Sequence, residues 1–215
     1  MNYLAKYKKS DFVRLSWEDY GKTLEILKEK IQNFINRESI TIDAVVPILR
    51  GGAFPGTYLA YQLNLLTVIP VQYKYFFERG TIVLKRICGI GKNQPLPDRS
   101  TFLLVENNHC FGKTAETAAN DLKSEFPGSI IIYVADHMDY SFQHNTYADS
   151  IFFGSLTNET RKLTPEACTK LKINHNSYLF PWEQLEEEWI TVQGKQFEYQ
   201  DLQNVSAQAT TKLEL

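Results

Sequence analysis

Residues 101–122, TFLLVENNHCFGKTAETAANDL, join an apolar run to a Gly-Lys-Thr triplet through one acidic residue. The triplet resembles the end of a nucleotide P-loop, but the position five before Gly112 is Asn107. Without a first glycine there, the wide turn around a β-phosphate is not available. What remains is an anion nest at a helix start. The amides of Gly112, Lys113 and Thr114 face outward, the helix dipole favours negative charge, and the Thr114 hydroxyl adds a donor. Glu106 stands too near this nest to bind its phosphate and suits the hydroxyls of a sugar, with Asn107 beside it. A sugar phosphate fits the whole stretch. The alternative is a plain helix-capping turn with a solvated lysine.

A second stretch, PILRGGAFPG, ends an apolar run on Arg50-Gly51-Gly52. Backbone N–H groups and a guanidinium there converge on one point, which suits a second anion because Arg presents a rigid fork of donors. The alternative is an ordinary strand-to-helix turn with an exposed arginine. Asp136, His137, Asp139 and His144 have metal-binding side chains, but their spacing matches no ligand pattern, and a polar loop is the expectation. No metal ligand is therefore assigned. Glu183, Glu186, Glu187 and Glu188 read as a solvated helix face. Absent GxSxG, HExxH and kinase signatures, hydrolase and kinase chemistry falls away.

Elements must hold these loops together. At 215 residues the chain suits one domain, or one domain with a small cap. Ser16 starts a helix over 16–36, with Leu24, Leu27, Ile31, Phe34 and Ile35 on one face. Strands are expected at 41–49, 67–76, 101–105, 129–135 and 150–155, with helices at 54–63 and 114–126. The alternation makes the class α/β with a mainly parallel sheet flanked by helices. Residues 78–99 read as a hairpin and a mobile basic loop. In such sheets ligands sit beyond the carboxyl ends of the strands. The loops 49–52, 106–114 and 136–140 are placed there. A single domain over 1–202 is expected, with a core at about 40–156, a hood from the N-terminal segment and about 157–192, and a disordered tail at 203–215. A net charge of −2 argues against nucleic acid, and the lack of a long apolar run argues against a membrane span. Cys88, Cys110 and Cys168 form no CxxC pair, which points to a reducing, cytoplasmic setting.

Taken together, VVPILRGG, LLVENNHCFGKTAETA and YLFPWE resemble, in the same order, the type I phosphoribosyltransferases, most closely their xanthine and guanine members. The resemblance spans about residues 42–182. It implies a Rossmann-like core with a hood, and an enzyme that uses phosphoribosyl pyrophosphate with Mg2+, transferring ribose 5-phosphate to a nitrogenous base. The alternative on the same fold is a non-catalytic nucleotide or phosphoribosyl pyrophosphate sensor. The resemblance puts Arg50 and Gly51 in a pyrophosphate turn with a non-proline cis peptide. It puts Glu106 on the ribose hydroxyls, and Cys110, Phe111, Gly112, Lys113 and Thr114 around the 5′-phosphate, with Glu106 and Cys110 as the catalytic pair. The basic 79–92 segment becomes a flap that excludes water. Partners are small molecules, with a homodimer as the assembly to test. The chain departs from the family at Asn107, usually a second acid that can reach magnesium, and at Cys110 and Phe111, usually Asp and Thr. Asp136 stands where a lysine meets the 6-oxopurine, and Ser177 where a Trp stacks on it, with Tyr178 adjacent. An acceptor at Asp136 favours a base that presents N–H donors over guanine or xanthine.

Overall fold

The computed structural model describes residues 8–78, 81–90, 95–142 and 146–189. The expected tail, His144, and residues 79–80 and 91–94 of the expected flap lie outside the described residues.

Helix α1, Trp17–Glu38, starts where Ser16 Oγ accepts from the Asp19 amide at 3.1 Å, and Glu18 and Asp19 place negative charge on its first turn. It ends at Ser39, whose backbone is left-handed (φ 54°). Tyr20, Leu24, Leu27 and Ile31 recur at intervals of three or four and bury one face. The strands are β2 (Ala44–Leu49), β3 (Val71–Glu78), β4 (Thr81–Cys88), β5 (Thr101–His109), β6 (Ile130–Asp139) and β7 (Ser150–Thr157), in sheet order β4-β3-β2-β5-β6-β7. All neighbours pair in parallel except β3 with β4, an antiparallel hairpin.

Helices cover both faces, which is why the central strands are apolar throughout rather than alternating. On one side α1 and α2 (Ala53–Gln62) set Leu27, Ile31 and Leu59 against Val45, Leu103, Val105, Ile132 and Val134. On the other, α3 (Lys113–Glu125) lays Ala115, Ala118, Ala119 and Leu122 over Val46, Ile48, Phe102 and Leu104. Small alanines let α3 lie close to the sheet. A two-stranded parallel sheet joins β1 (Phe12–Arg14) to β8 (Ser177–Leu179), and Leu15, Tyr20, Leu24 and Phe180 form a separate cluster beneath it. A short helix, α4 (Pro165–Leu171), precedes β8 and is capped by Thr164, whose Oγ1 accepts from the Ala167 amide at 3.3 Å.

Three boundaries differ from expectation. Strand β3 begins at Val71, after Pro70, because proline has no N–H to give the ladder. Strand β5 continues past Val105 to His109, and β6 past Ala135 to Asp139, because Asn108 pairs with His137 and His109 with Met138. The expected loop at 136–140 is therefore mostly strand, and a 3-10 turn follows it at Tyr140–Phe142.

Candidate functional site

Strand order reverses between β2 and β5: the chain runs from β2 outward to β3, and from β5 outward to β6 and β7. The crevice beyond that reversal is the usual ligand site in open parallel sheets. Two loops flank it, the turn after β2 and the turn between β5 and α3.

The turn after β2 is held tightly. A Cβ on Gly52 would lie 2.3 Å from the Val105 carbonyl oxygen and 2.7 Å from that of Ile48, so no side chain fits. The Gly52 amide donates to the Ile48 oxygen at 2.8 Å, and the Leu49–Arg50 peptide is cis. Gly51 abuts the next strand: a Cβ there would lie 3.2 Å from Asn107 Cβ and 3.4 Å from Glu106 Oε1. Arg50 is exposed.

Across the crevice, Gly112 caps α3 in a left-handed conformation (φ 72°). The first amides of the helix have no helical acceptor and point away from its axis. Thr114 is half-buried in this turn, whereas Lys113 reaches solvent and pairs with Glu116 at 3.0 Å. Phe111 is exposed, with its ring edge on Phe142. Cys110, the first residue past β5, is partly covered.

Glu106 lies within β5 rather than at its end, and its side chain is partly open. Burial pushes its carboxyl up to about 8, against the weaker opposing effect of the Asn107 amide, which donates to Oε1 at 3.3 Å. A carboxyl raised this far can, when protonated, both donate to and accept from a hydroxyl. Asn107 is buried, and its Oδ1 accepts from the Tyr20 hydroxyl at 3.0 Å, which ties β5 to α1.

The structure corrects the placement of Asp136 in a loop. Because β6 keeps its ladder through Asp139, Asp136 is fully buried; its Oδ2 accepts from Thr23 Oγ1 at 2.9 Å and lies 2.7 Å from His137 Nδ1. It braces α1 on the sheet and does not face the crevice from a loop. Asp139 is likewise a structural acceptor, taking the Ser141 amide at 2.9 Å and the Thr160 amide at 2.8 Å. Tyr178, in β8, sets its ring edge-on to His137, with centroids 4.7 Å apart.

Sequence reasoning passed over three residues here. His109 is buried behind the Gly112 turn, with Nδ1 2.7 Å from the Tyr133 hydroxyl, and burial lowers it to about 4, so it is neutral. Asn108 and Glu159 are joined, Asn108 Nδ2 lying 3.0 and 3.1 Å from the two carboxylate oxygens. Burial raises the Glu159 carboxyl, and the bonds from Asn108 and Ser177 oppose this. No local motif marks Asn108 or Glu159, which lie 51 residues apart.

Among the described residues no group of three His, Cys, Asp or Glu is placed to hold a metal. No helix of the described residues is long and apolar enough to cross a membrane.

No family model and no curated protein matches this sequence. Solved structures do. The chain is similar to a purine phosphoribosyltransferase from Pyrococcus horikoshii (20% identity, TM-score 0.59, 81% of this chain and 95% of that one). It is similar to a hypothetical protein from Neisseria gonorrhoeae with bound ppGpp (16%, TM-score 0.62, 86% and 97%). A third is the xanthine-guanine-hypoxanthine phosphoribosyltransferase of Helicobacter pylori (14%, TM-score 0.54, 84% and 99%). The fold is that of the type I phosphoribosyltransferases, an α/β sheet flanked by helices.

Proposed function

We propose that this protein binds phosphoribosyl pyrophosphate across the β2–β5 crevice and transfers its ribose 5-phosphate to a nitrogenous base, releasing pyrophosphate. The carrying observation is the contact of Gly51 with Glu106 and Asn107, which puts the Arg50 turn against the strand that leads into the Gly112 helix start. One ligand with a phosphate, a sugar and a second anion spans that arrangement.

In this reading the α3 amides and Thr114 hold the 5′-phosphate, while Glu106 holds the ribose hydroxyls. Arg50 and the Gly51 amide take the pyrophosphate. The base nitrogen bonds to the anomeric carbon as the carbon–oxygen bond to pyrophosphate breaks; the electron pair leaves with pyrophosphate, and the proton that the base nitrogen sheds passes to that leaving group. The chain's contribution is positioning, together with stabilisation by Arg50 of the charge that develops on the leaving group. Magnesium would come with the ligand's own phosphates, and no step is assigned to it.

A second reading, a non-catalytic nucleotide or phosphoribosyl pyrophosphate sensor, is favoured by one observation. The Asn107 oxygen is bonded to Tyr20, and neither position 107 nor position 110 carries a carboxylate. The test is calorimetric titration with phosphoribosyl pyrophosphate, with and without magnesium, followed by a pyrophosphate-release screen over purine and pyrimidine bases. Release with any base supports transfer. Binding without release supports the sensor, and no binding of phosphoribosyl pyrophosphate or of ribose 5-phosphate overturns both.

A further inference from the structure

Beside the crevice lies a second polar cluster, made of Asn108, His137, Glu159 and Ser177. Glu159 is only 8% exposed, and it ties the core to the β8 sheet: Asn108 Nδ2 donates to both of its oxygens, and Ser177 Oγ lies 3.2 Å from Oε1. Three atoms in this cluster are buried with no hydrogen-bond partner among the described residues, Asn108 Oδ1, His137 Nδ1 and His137 Nε2, and of these only Nδ1 has a charged neighbour, Asp136 Oδ2 at 2.7 Å. His137 is 1% exposed and pairs with Asn108 across the β5–β6 ladder. Leaving such atoms unmet costs roughly 1–3 kcal/mol each, so a cluster that keeps them is suited to a ligand that meets them.

Its position identifies the ligand. Asn108 follows Glu106 by two residues on β5, about 7 Å further toward the carboxyl end of the strand at the ordinary rise. That is the distance from the hydroxyls of a ribose to the far edge of its base. Tyr178, whose ring meets His137 at 4.7 Å, brings a flat aromatic surface to the same place.

Resting on the ribose 5-phosphate reading above, we infer that Glu159, oriented by Asn108 and Ser177, is the residue that reads the base, and that it selects a nucleobase presenting N–H donors. The Glu159 carboxylate and Asn108 Oδ1 are acceptors, so an amino group fits where a carbonyl is repelled. This transfers to Glu159 the selection that the sequence suggested for Asp136.

The test compares ligands that differ at one group. Calorimetry on the full chain would use GMP against XMP, which exchange an amino group for a carbonyl, and CMP against UMP, which do the same. Ribose 5-phosphate serves as the base-free reference. The expected result is at least a tenfold preference for the amino member of one pair, reduced to less than threefold in Glu159→Gln. Ser177→Ala, which keeps the carboxylate and frees it to turn, should lower the preference by a smaller factor. A wild-type preference below tenfold in both pairs, or one that survives Glu159→Gln, overturns the inference. So does a protein that binds ribose 5-phosphate as tightly as any nucleotide. Failure of ribose 5-phosphate itself to bind is a different result, and it overturns the phosphoribosyl reading.

Discussion

Replacing Gly112 by alanine tests how the turn before α3 is built. A Cβ there would lie 2.5 Å from His109 Cε1 and 2.7 Å from Nε2, well inside contact distance. His109 cannot retreat freely, because it is buried and bonded to Tyr133 at 2.7 Å. Two costs add. The left-handed backbone at φ 72° costs a non-glycine residue roughly 1–2 kcal/mol. Overpacking against a fixed ring costs roughly 1–3 kcal/mol more. Gly112→Ala should therefore lower stability by roughly 2–5 kcal/mol in urea denaturation, with the slope unchanged. The His109→Ala background separates the two costs. With the ring gone the clash disappears and only the backbone cost remains, so the double variant should be more stable than the sum of the singles predicts, by about 1 kcal/mol or more. A loss below about 1 kcal/mol in the single variant would refute the geometry, and strict additivity would refute the part assigned to His109. Because the added methyl points at His109, loss of phosphate binding would follow from displacement of the turn.

The other expectations concern charge and burial. Arg50→Ala should weaken phosphoribosyl pyrophosphate at least tenfold, as for a charge-assisted bond of ~1.5–3 kcal/mol, and far more than it weakens ribose 5-phosphate. Equal losses in calorimetry would assign Arg50 to the fold or to the first phosphate. His109, lowered from 6.5 to about 4, contributes stability that is present above pH 6.5 and lost as pH falls through 4. The loss is up to about 3 kcal/mol, and His109→Asn should flatten the stability curve over that window in urea titrations at successive pH values. Tyr20→Phe leaves the buried Asn107 oxygen without its donor and should cost ~1–3 kcal/mol, or a few degrees in melting temperature. An unchanged melting temperature would mean that water replaces the hydroxyl.

Local chemistry made much of this protein legible in its sequence. The Ser16 cap, the spacing of Leu24, Leu27 and Ile31, and unbroken apolar strands flanked by helical segments are signals carried within a few residues of one another. Arg50-Gly51-Gly52 and Gly112-Lys113-Thr114 could be read as turns for the same reason, since glycine marks where the backbone must bend or come close. How far a strand runs is a different kind of fact. Strands β5 and β6 extend to His109 and Asp139 because each pairs with the other, and no residue in either announces that partnership. The extension buries Asp136, which looked like a loop residue, and turns it to Thr23 on α1. Asn107 is likewise committed to Tyr20, 87 residues away. Glu159 meets Asn108 across 51 residues and Ser177 across 18, so its carboxylate enters the site only when the chain folds. Residue types and turns were written locally. Which polar groups face the crevice and which face one another was decided by strand pairing and packing, because a buried hydrogen bond depends on distance in space and not along the chain.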